Sequence, residues 1–398
     1  MLYLIVRPVA RFVLRFYYRN IDLSGLEHIP ADAAVILASN HPTAFIEPCL
    51  LACFQPRTLW FLARGDLFKT RLARWGLAAV NILPVFRLQD GGFKKLRNNY
   101  GTFDACYRAL SDRRALMILA EGRCIHGKHL LPLRKGTARL ALGALSRDVT
   151  LPEVYIVPVG VNFTHAERVR GTVMIRCGEP IRASAYLEEY RSSEATAIKQ
   201  LTSHLRARLS PLVVQVPPDR VTAAEAHLAT DRDRHAAHRR YGINHDGNQL
   251  DRELAMAAAP DERALPYRAR LRQNGLEHRP TRQKLNWRLL AGLALLLQLP
   301  YLPLWLLAEY LAVAKPKTIE FYSPVRFATL AGGTLLLFPL GLLLLPWPGK
   351  IWLLLTLLTV RWSIRQWEDL AEWRRYRRWQ QLVPEERRTL ENMEDAVS

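Results

Sequence analysis

Cysteine is scarce and scattered. Cys49, Cys53, Cys106, Cys124 and Cys177 are the five in the chain. Neither their number nor their spacing fits a disulfide framework or a zinc site, so reduced thiols are expected, as in the cytosol. A Gly-x-Gly-x-x-Gly or Walker loop is missing, and nothing points to nucleotide-dependent chemistry. His126 and His129 lie near Glu121, but a third ligand at workable spacing is lacking. Neither a metal nor a cofactor is expected. Acidic residues are also in deficit: 36 Asp and Glu against 56 Lys and Arg, a net charge of +20. Such an excess calls for a polyanionic neighbour, either nucleic acid or an anionic membrane surface. The hydrophobic residues are unevenly spread and much of the basic charge flanks apolar runs. That favours the membrane over nucleic acid, which would need a soluble basic patch.

Between Ile21 and about Leu209 the chain alternates strand and helix signals. Strands are expected at Val35–Ala38, Leu59–Ala63, Val80–Phe86, Ala115–Leu119, Val154–Val159 and Thr172–Cys177. Helices are expected near Asp66–Leu77, Phe93–Leu110, Gly136–Leu145 and Ala183–Leu209. This alternation indicates an α/β domain, a mostly parallel sheet flanked by helices. It is preceded by an amphipathic helix (1–20) in which Arg7, Arg11, Arg15 and Arg19 recur every fourth residue among aliphatic and aromatic side chains. That stripe suits a helix lying in a membrane interface; the alternative is a helix packed on the protein's own core. The arginines interrupt any apolar core, so neither a cleaved signal peptide nor a spanning helix is expected there.

After the α/β domain (21–209), breaks at Ser210-Pro211 and Pro217-Pro218 lead into a polar stretch (210–286) that reads as helical connector. Helical membrane segments follow (287–362). An uncharged run begins at Leu289, passes Pro300 and Pro303 and ends at Ala308; a second begins at Phe327 and ends at Gly349. Each is about twenty residues, enough for a hydrocarbon layer of about 30 Å. Pro346-Trp347-Pro348-Gly349 is a candidate turn, so two crossings or a crossing plus a re-entrant hairpin are both open. Arg282, Lys284 and Arg288 precede the runs; Arg361, Arg365, Arg374, Arg375, Arg377 and Arg378 follow. The positive-inside tendency puts both flanks, and the α/β domain, on the cytoplasmic face. The basic tail (363–398) is expected on the same anionic surface.

The chemistry gathers at Ser39-Asn40-His41-Pro42-Thr43-Ala44-Phe45-Ile46-Glu47-Pro48. It follows the apolar run Ala33–Ala38, and a helix is expected to begin near Glu47, where Pro48 is tolerated. His41 then lies at the carboxyl edge of the sheet, where open α/β sheets bind ligands. A neutral imidazole can take a proton from an alcohol, and a carboxylate such as Glu47 can hold the ring.

This stretch resembles the first motif of the glycerolipid acyltransferase family, of the lysophosphatidate acyltransferase type: Asn-His, four residues, then Asp. Here five residues intervene and the acid is Glu47. Asn81-Ile82-Leu83-Pro84-Val85-Phe86-Arg87 resembles the second motif, an apolar strand ending in arginine. Ile118-Leu119-Ala120-Glu121-Gly122-Arg123-Cys124 resembles the third, with Ala120 for the usual proline and Arg123 directly after Gly122. Leu131-Pro132-Leu133-Arg134-Lys135-Gly136 is similar to the Lys-Gly segment beyond it. Val157-Pro158-Val159 is similar to the fourth motif, expected to wall the acyl or acceptor group. The resemblance runs from about Asn40 to Gly160.

It implies transfer of a fatty acyl chain from an acyl thioester, on coenzyme A or acyl carrier protein, to the hydroxyl of a lysophospholipid, 1-acyl-glycerol-3-phosphate first among them. His41 is then the base and Glu47 its partner. Arg87, Glu121, Gly122, Arg123 and Lys135 form the phosphate-binding set, with Glu121 ordering the loop. Cys124 is not needed as a nucleophile, because the hydroxyl attacks the thioester directly. Two other readings stay open: a remodelling acyltransferase for another lysolipid or glycolipid, and an inactive membrane lipid-binding or scaffold protein.

Overall fold

The computed structural model describes residues 2–85, 99–235, 241–280 and 287–397. Arg87, Arg282 and Lys284 lie outside the described residues. The chain forms two compact units. The first comprises Met1–Val213, Gly242–Gly247 and Pro316–Pro324.

The first unit is built on one sheet in the order β4-β3-β5-β2-β6-β7-β1-β9, with β8 beside β6. In chain order the strands are β1 (Asn20–Ser24), β2 (Ala34–Ser39), β3 (Leu59–Arg64), β4 (Ile82–Val85) and β5 (Ala115–Leu119). Then come β6 (Val154–Phe163), β7 (Thr172–Cys177), β8 (Ile181–Arg182) and β9 (Gly242–Asn244). Neighbouring strands run parallel from β4 to β6 and again from β7 to β9; β6 is antiparallel to β7 and to β8. Every residue of β2 is buried, and its Ala-Val-Ile-Leu-Ala run is what a parallel strand covered on both faces requires.

One face of the sheet packs Ile36, Leu116, Ile118 and Ile156 against Leu140, Ala141, Ile198, Leu201 and Leu205. These last five come from the helices Gly136–Arg147 and Glu194–Leu209. The sequence reads Ala183–Leu209 as a single helix. The structure breaks it at Ser193, whose φ of −150° is extended backbone, after a short 3-10 turn (Ala183–Tyr186) and the helix Leu187–Ser192.

The first helix, α1 (Leu2–Tyr17), buries Tyr3, Ala10, Val13, Leu14 and Tyr17, a stripe at helical spacing. It packs on α2 (Ile46–Phe54). The Arg7 guanidinium donates to the Gln55 carbonyl at 2.5 Å and Arg11 lies over the Phe54 ring. Leu4, Ile5 and Arg15 remain exposed. The helix therefore has an inner face that belongs to the domain and an outer one that is apolar and basic. A short strand, β9, arises inside the stretch read as helical connector. Its Asn244 amide donates to Asp22 at 2.8 Å.

The second unit holds the remaining described residues. The helices Val221–His235, Asn248–Ala258, Ala264–Gln273 and Pro384–Ala396 are tied by ion pairs, among them Arg232–Glu253 at 2.8 Å and Arg270–Glu386 at 2.6 Å. Two stretches, Leu289–Ala314 and Ile319–Leu344, are each 26 residues and apolar enough to cross a membrane. The second lies partly in the first unit, through residues 319–324. The chain turns at Leu345-Pro346 into one continuous helix, Trp347–Gln381. The sequence reading divides that helix at Trp362. Its first half runs against Trp287–Gln298: the Gln298 amide donates to the Thr356 carbonyl at 3.0 Å, so this buried polar group is satisfied. Glu309 and Arg326 pair at 2.8 Å, the way charges are tolerated among apolar helices. Of the C-terminal basic residues, Arg375 pairs with Glu277 and Glu372. Arg361, Arg365, Arg374, Arg377 and Arg378 are exposed.

Candidate active site

At the carboxyl end of β2 the backbone leaves the sheet at Asn40, and the side chain of Asn40 stays behind. Its Oδ1 accepts from the Val161 amide at 2.8 Å and its Nδ2 donates to the Val161 carbonyl at 2.9 Å. A primary amide thus continues the β2–β6 ladder for one step, and the next residue is aimed out of the sheet. That residue is His41, only 7% exposed.

Glu121, at the end of the adjacent β5, holds the same loop. One carboxylate oxygen accepts from the His41 amide at 2.7 Å, the other from the Leu131 amide at 2.7 Å. Glu121 is buried. Burial raises its pKa, more than the two amide hydrogen bonds lower it. Its neighbour Gly122 has φ +67°, and a Cβ there would come 2.7 Å from Arg134 Cγ. This is a place where only glycine fits without strain. The loop is closed by the Arg134 amide on the Ala120 carbonyl at 2.7 Å and by Arg206, which donates to the Leu131 carbonyl at 2.7 Å.

Glu47 sits in the first turn of α2 and is fully buried. Its carboxylate accepts from the Thr43 amide at 2.5 Å and from the Thr43 hydroxyl at 2.8 Å. The Thr43 Oγ1 in turn accepts from the Ile46 amide at 3.2 Å. These bonds fix the turn between His41 and the helix. Glu47 Oε1 lies 3.7 Å from His41 Nδ1, an ion-pair distance but too long for a hydrogen bond. Nδ1 has no hydrogen-bond partner among the described residues. The ring and the carboxylate are therefore adjacent, while the strong bonds of the carboxylate go to Thr43.

Of the sequence-predicted site residues, His41, Glu47 and Glu121 come together through these contacts. Glu121 spends both oxygens on backbone amides and acts here as a loop anchor. Arg123 and Lys135 are exposed at the same sheet edge and make no ion pair with any described residue. Lys135 immediately precedes the helix Gly136–Arg147, whose free N-terminal amides add to its charge. Arg87 lies outside the described residues. The thiol of Cys124 is pushed far up by burial and by the Glu47, Glu320 and Glu121 carboxylates, so it stays protonated, the opposite of what a nucleophile needs. Three residues escaped the sequence reading as contributors to this geometry: Thr43, Arg206 and Glu320. Glu320 comes from a linker between apolar helices; its carboxylate accepts from the His126 amide at 3.2 Å.

The site is thus a nearly buried histidine at the carboxyl edge of a mostly parallel sheet, with a buried glutamate 3.7 Å from its ring. Residues 20–162 match the family model for Acyltransferase. The chain is 29% identical over 121 residues to glycerol-3-phosphate O-acyltransferase 2 of Saccharomyces cerevisiae, covering 30% of this chain and 16% of that one. It is 29% identical over 111 residues to glycerol-3-phosphate O-acyltransferase 1 of the same yeast, covering 27% and 14%. The chain thus matches well under a fifth of the length of either relative. Among solved structures it is similar to the 1-acyl-sn-glycerophosphate (LPA) acyltransferase PlsC from Thermotoga maritima, with a TM-score of 0.36 and 19% identity over 51% of this chain and 80% of that one.

Proposed function

We propose that the protein moves a fatty acyl chain from an acyl thioester, on coenzyme A or acyl carrier protein, to the hydroxyl of a glycerol phosphomonoester at a membrane surface. The observation that carries this reading is the placement of the His41 ring. It is nearly buried, its backbone is locked by Glu121 and by the Asn40 anchor, and a carboxylate lies 3.7 Å from Nδ1. His41 takes the proton of the acceptor hydroxyl as that oxygen attacks the thioester carbonyl. The tetrahedral intermediate then expels the thiolate, which recovers a proton from the imidazolium. Arg123, Lys135 and Arg87 are the cations assigned to the acceptor phosphate. 1-Acyl-glycerol-3-phosphate is the first candidate acceptor. Glycerol-3-phosphate is the second, because the yeast relatives carry it in their names. The apolar helices keep the site at a bilayer, on its cytoplasmic face, where soluble acyl donors are found.

The test is acylation by the full chain in membranes, with palmitoyl-CoA as donor and lysophosphatidate and glycerol-3-phosphate as acceptors in parallel. Expected is transfer to at least one of them and its loss in folded His41→Ala protein. Near-normal turnover by that variant rules the mechanism out. Transfer that does not need an acceptor phosphate supports remodelling of another lysolipid or glycolipid. Lipid binding without turnover for any donor supports an inactive scaffold.

A further inference from the structure

The segment Pro316–Pro324 links the apolar helix Leu302–Ala314 to Tyr322–Leu344 and includes the first turn of the latter, yet it clusters with the sheet in the first unit. It holds both loops that flank His41. The Ala44 amide donates to the Glu320 carbonyl at 3.2 Å, which grips the loop after β2. The His126 amide donates to Glu320 Oε1 at 3.2 Å, which grips the loop after β5. Between those points the two loops are themselves linked by the Ile125 amide on the His41 carbonyl at 3.4 Å. The far end of the linker is pinned by Ser323, whose Oγ lies 2.6 Å from the Tyr17 hydroxyl at the end of α1.

We propose that this linker is a strap across the active-site loops and that Glu320 is a positioning residue for the acyl transfer described above, on which reading the inference rests. Neither loop is held there by strand pairing, because β2 and β5 have ended at Ser39 and Leu119. One residue supplies an acceptor to each loop, so its backbone and side chain together fix their separation. That separation sets the space in front of the His41 ring. The strap follows Leu289–Ala314 and takes in the start of Ile319–Leu344, two stretches of membrane-spanning length. Embedding those helices fixes where the strap starts and stops, and so ties the geometry of the site to the bilayer. In the bond to His126 the carboxylate offers an acceptor oxygen to a backbone N–H, a role that a neutral amide side chain also fills.

The experiment uses the full chain in vesicles containing anionic phospholipid, with palmitoyl-CoA as donor and lysophosphatidate and glycerol-3-phosphate as acceptors in parallel. Amide exchange at Ala44 and His126 is measured alongside kcat and KM for the wild type, Glu320→Ala and Glu320→Gln. Glu320→Ala is expected to speed exchange at His126 about fivefold, the factor that follows from losing one hydrogen bond. It is expected to lower kcat about tenfold by loosening the reacting geometry, with acceptor KM changed less than about twofold. Glu320→Gln is expected to stay near wild type on every readout. Unchanged exchange in Glu320→Ala overturns the strap. Faster exchange with unchanged kcat overturns the positioning role. A Glu320→Gln variant as defective as Glu320→Ala overturns the hydrogen-bond account in favour of charge. If the wild type transfers no acyl group at all, the functional reading fails, and the exchange data alone decide whether the strap exists.

Discussion

Asn40 offers the sharpest test of how the site is held. Replacing it with alanine strands the N–H and the C=O of Val161, both now paired at 2.8 and 2.9 Å. Each buried backbone group left unsatisfied costs about 1–3 kcal/mol, so Asn40→Ala, which strands two of them, is expected to destabilise the protein by about 2–6 kcal/mol. That is a large share of a total in the range of about 5–15 kcal/mol. Asn40→Asp is the more telling change. It keeps the shape and the Oδ1 acceptor, but it sets a second oxygen against the Val161 carbonyl and buries a charge at a residue that is 5% exposed. It is expected to cost at least as much as alanine, although it is the milder substitution by size. Because His41 is the next residue, either change shifts the ring; a displacement on the order of 1 Å lowers turnover about 10²-fold. The assay is the denaturant midpoint of the full chain in detergent micelles, followed by acyl transfer from palmitoyl-CoA. An Asn40→Asp protein with the midpoint and turnover of wild type would refute the idea that a side-chain amide completes the ladder.

Two further outcomes follow from the same geometry. Gly122→Ala places a side chain at φ +67° and drives its Cβ to 2.7 Å from Arg134 Cγ; a loss of about 1–2 kcal/mol from the left-handed backbone alone is expected in thermal unfolding, and an unchanged melting point would show that the loop is free to rearrange. Burial pushes the Cys53, Cys106 and Cys177 thiols up to about 12 from an ordinary 9.0. The folded protein therefore holds these protons more tightly than the unfolded chain. Stability should fall as pH rises from about 9 through 12, and the three thiols should resist a disulfide reagent at pH 8 until the protein is unfolded.

The centre of the domain was legible because burial on both faces leaves little choice of residue. The runs Ala115–Leu119 and Thr172–Cys177 are strands with the bounds read from the sequence. β1 and β9 are a different case. Asn20–Ser24 is polar at both ends and Gly242–Asn244 has only three residues. Each is a strand because the other, and β7, lie beside it, and pairing across so much chain leaves no local pattern. The site divides the same way. His41, Glu47, Glu121 and Gly122 announce themselves by residue type within short motifs. The anchors do not. Asn40 is bonded to a backbone 121 positions away and Glu320 to one 194 positions away. A backbone partner can be any residue, so the far end of such a bond leaves no trace in composition.

Glu47 shows why the spacing of its motif matters less than its bonding. Its strong hydrogen bonds close the Thr43 turn, and only a through-space distance of 3.7 Å connects it to Nδ1. On the proposed mechanism, a proton taken from the acceptor by His41 turns the ring into an imidazolium facing the same oxygen, where both side chains are nearly buried, and the attraction becomes substantial. An interaction that grows only as the reaction proceeds lowers the barrier without tightening the binding of substrate. On that same mechanism the bonds to Thr43 hold the carboxylate in place beforehand, so no reorganisation is needed when the ring becomes positive.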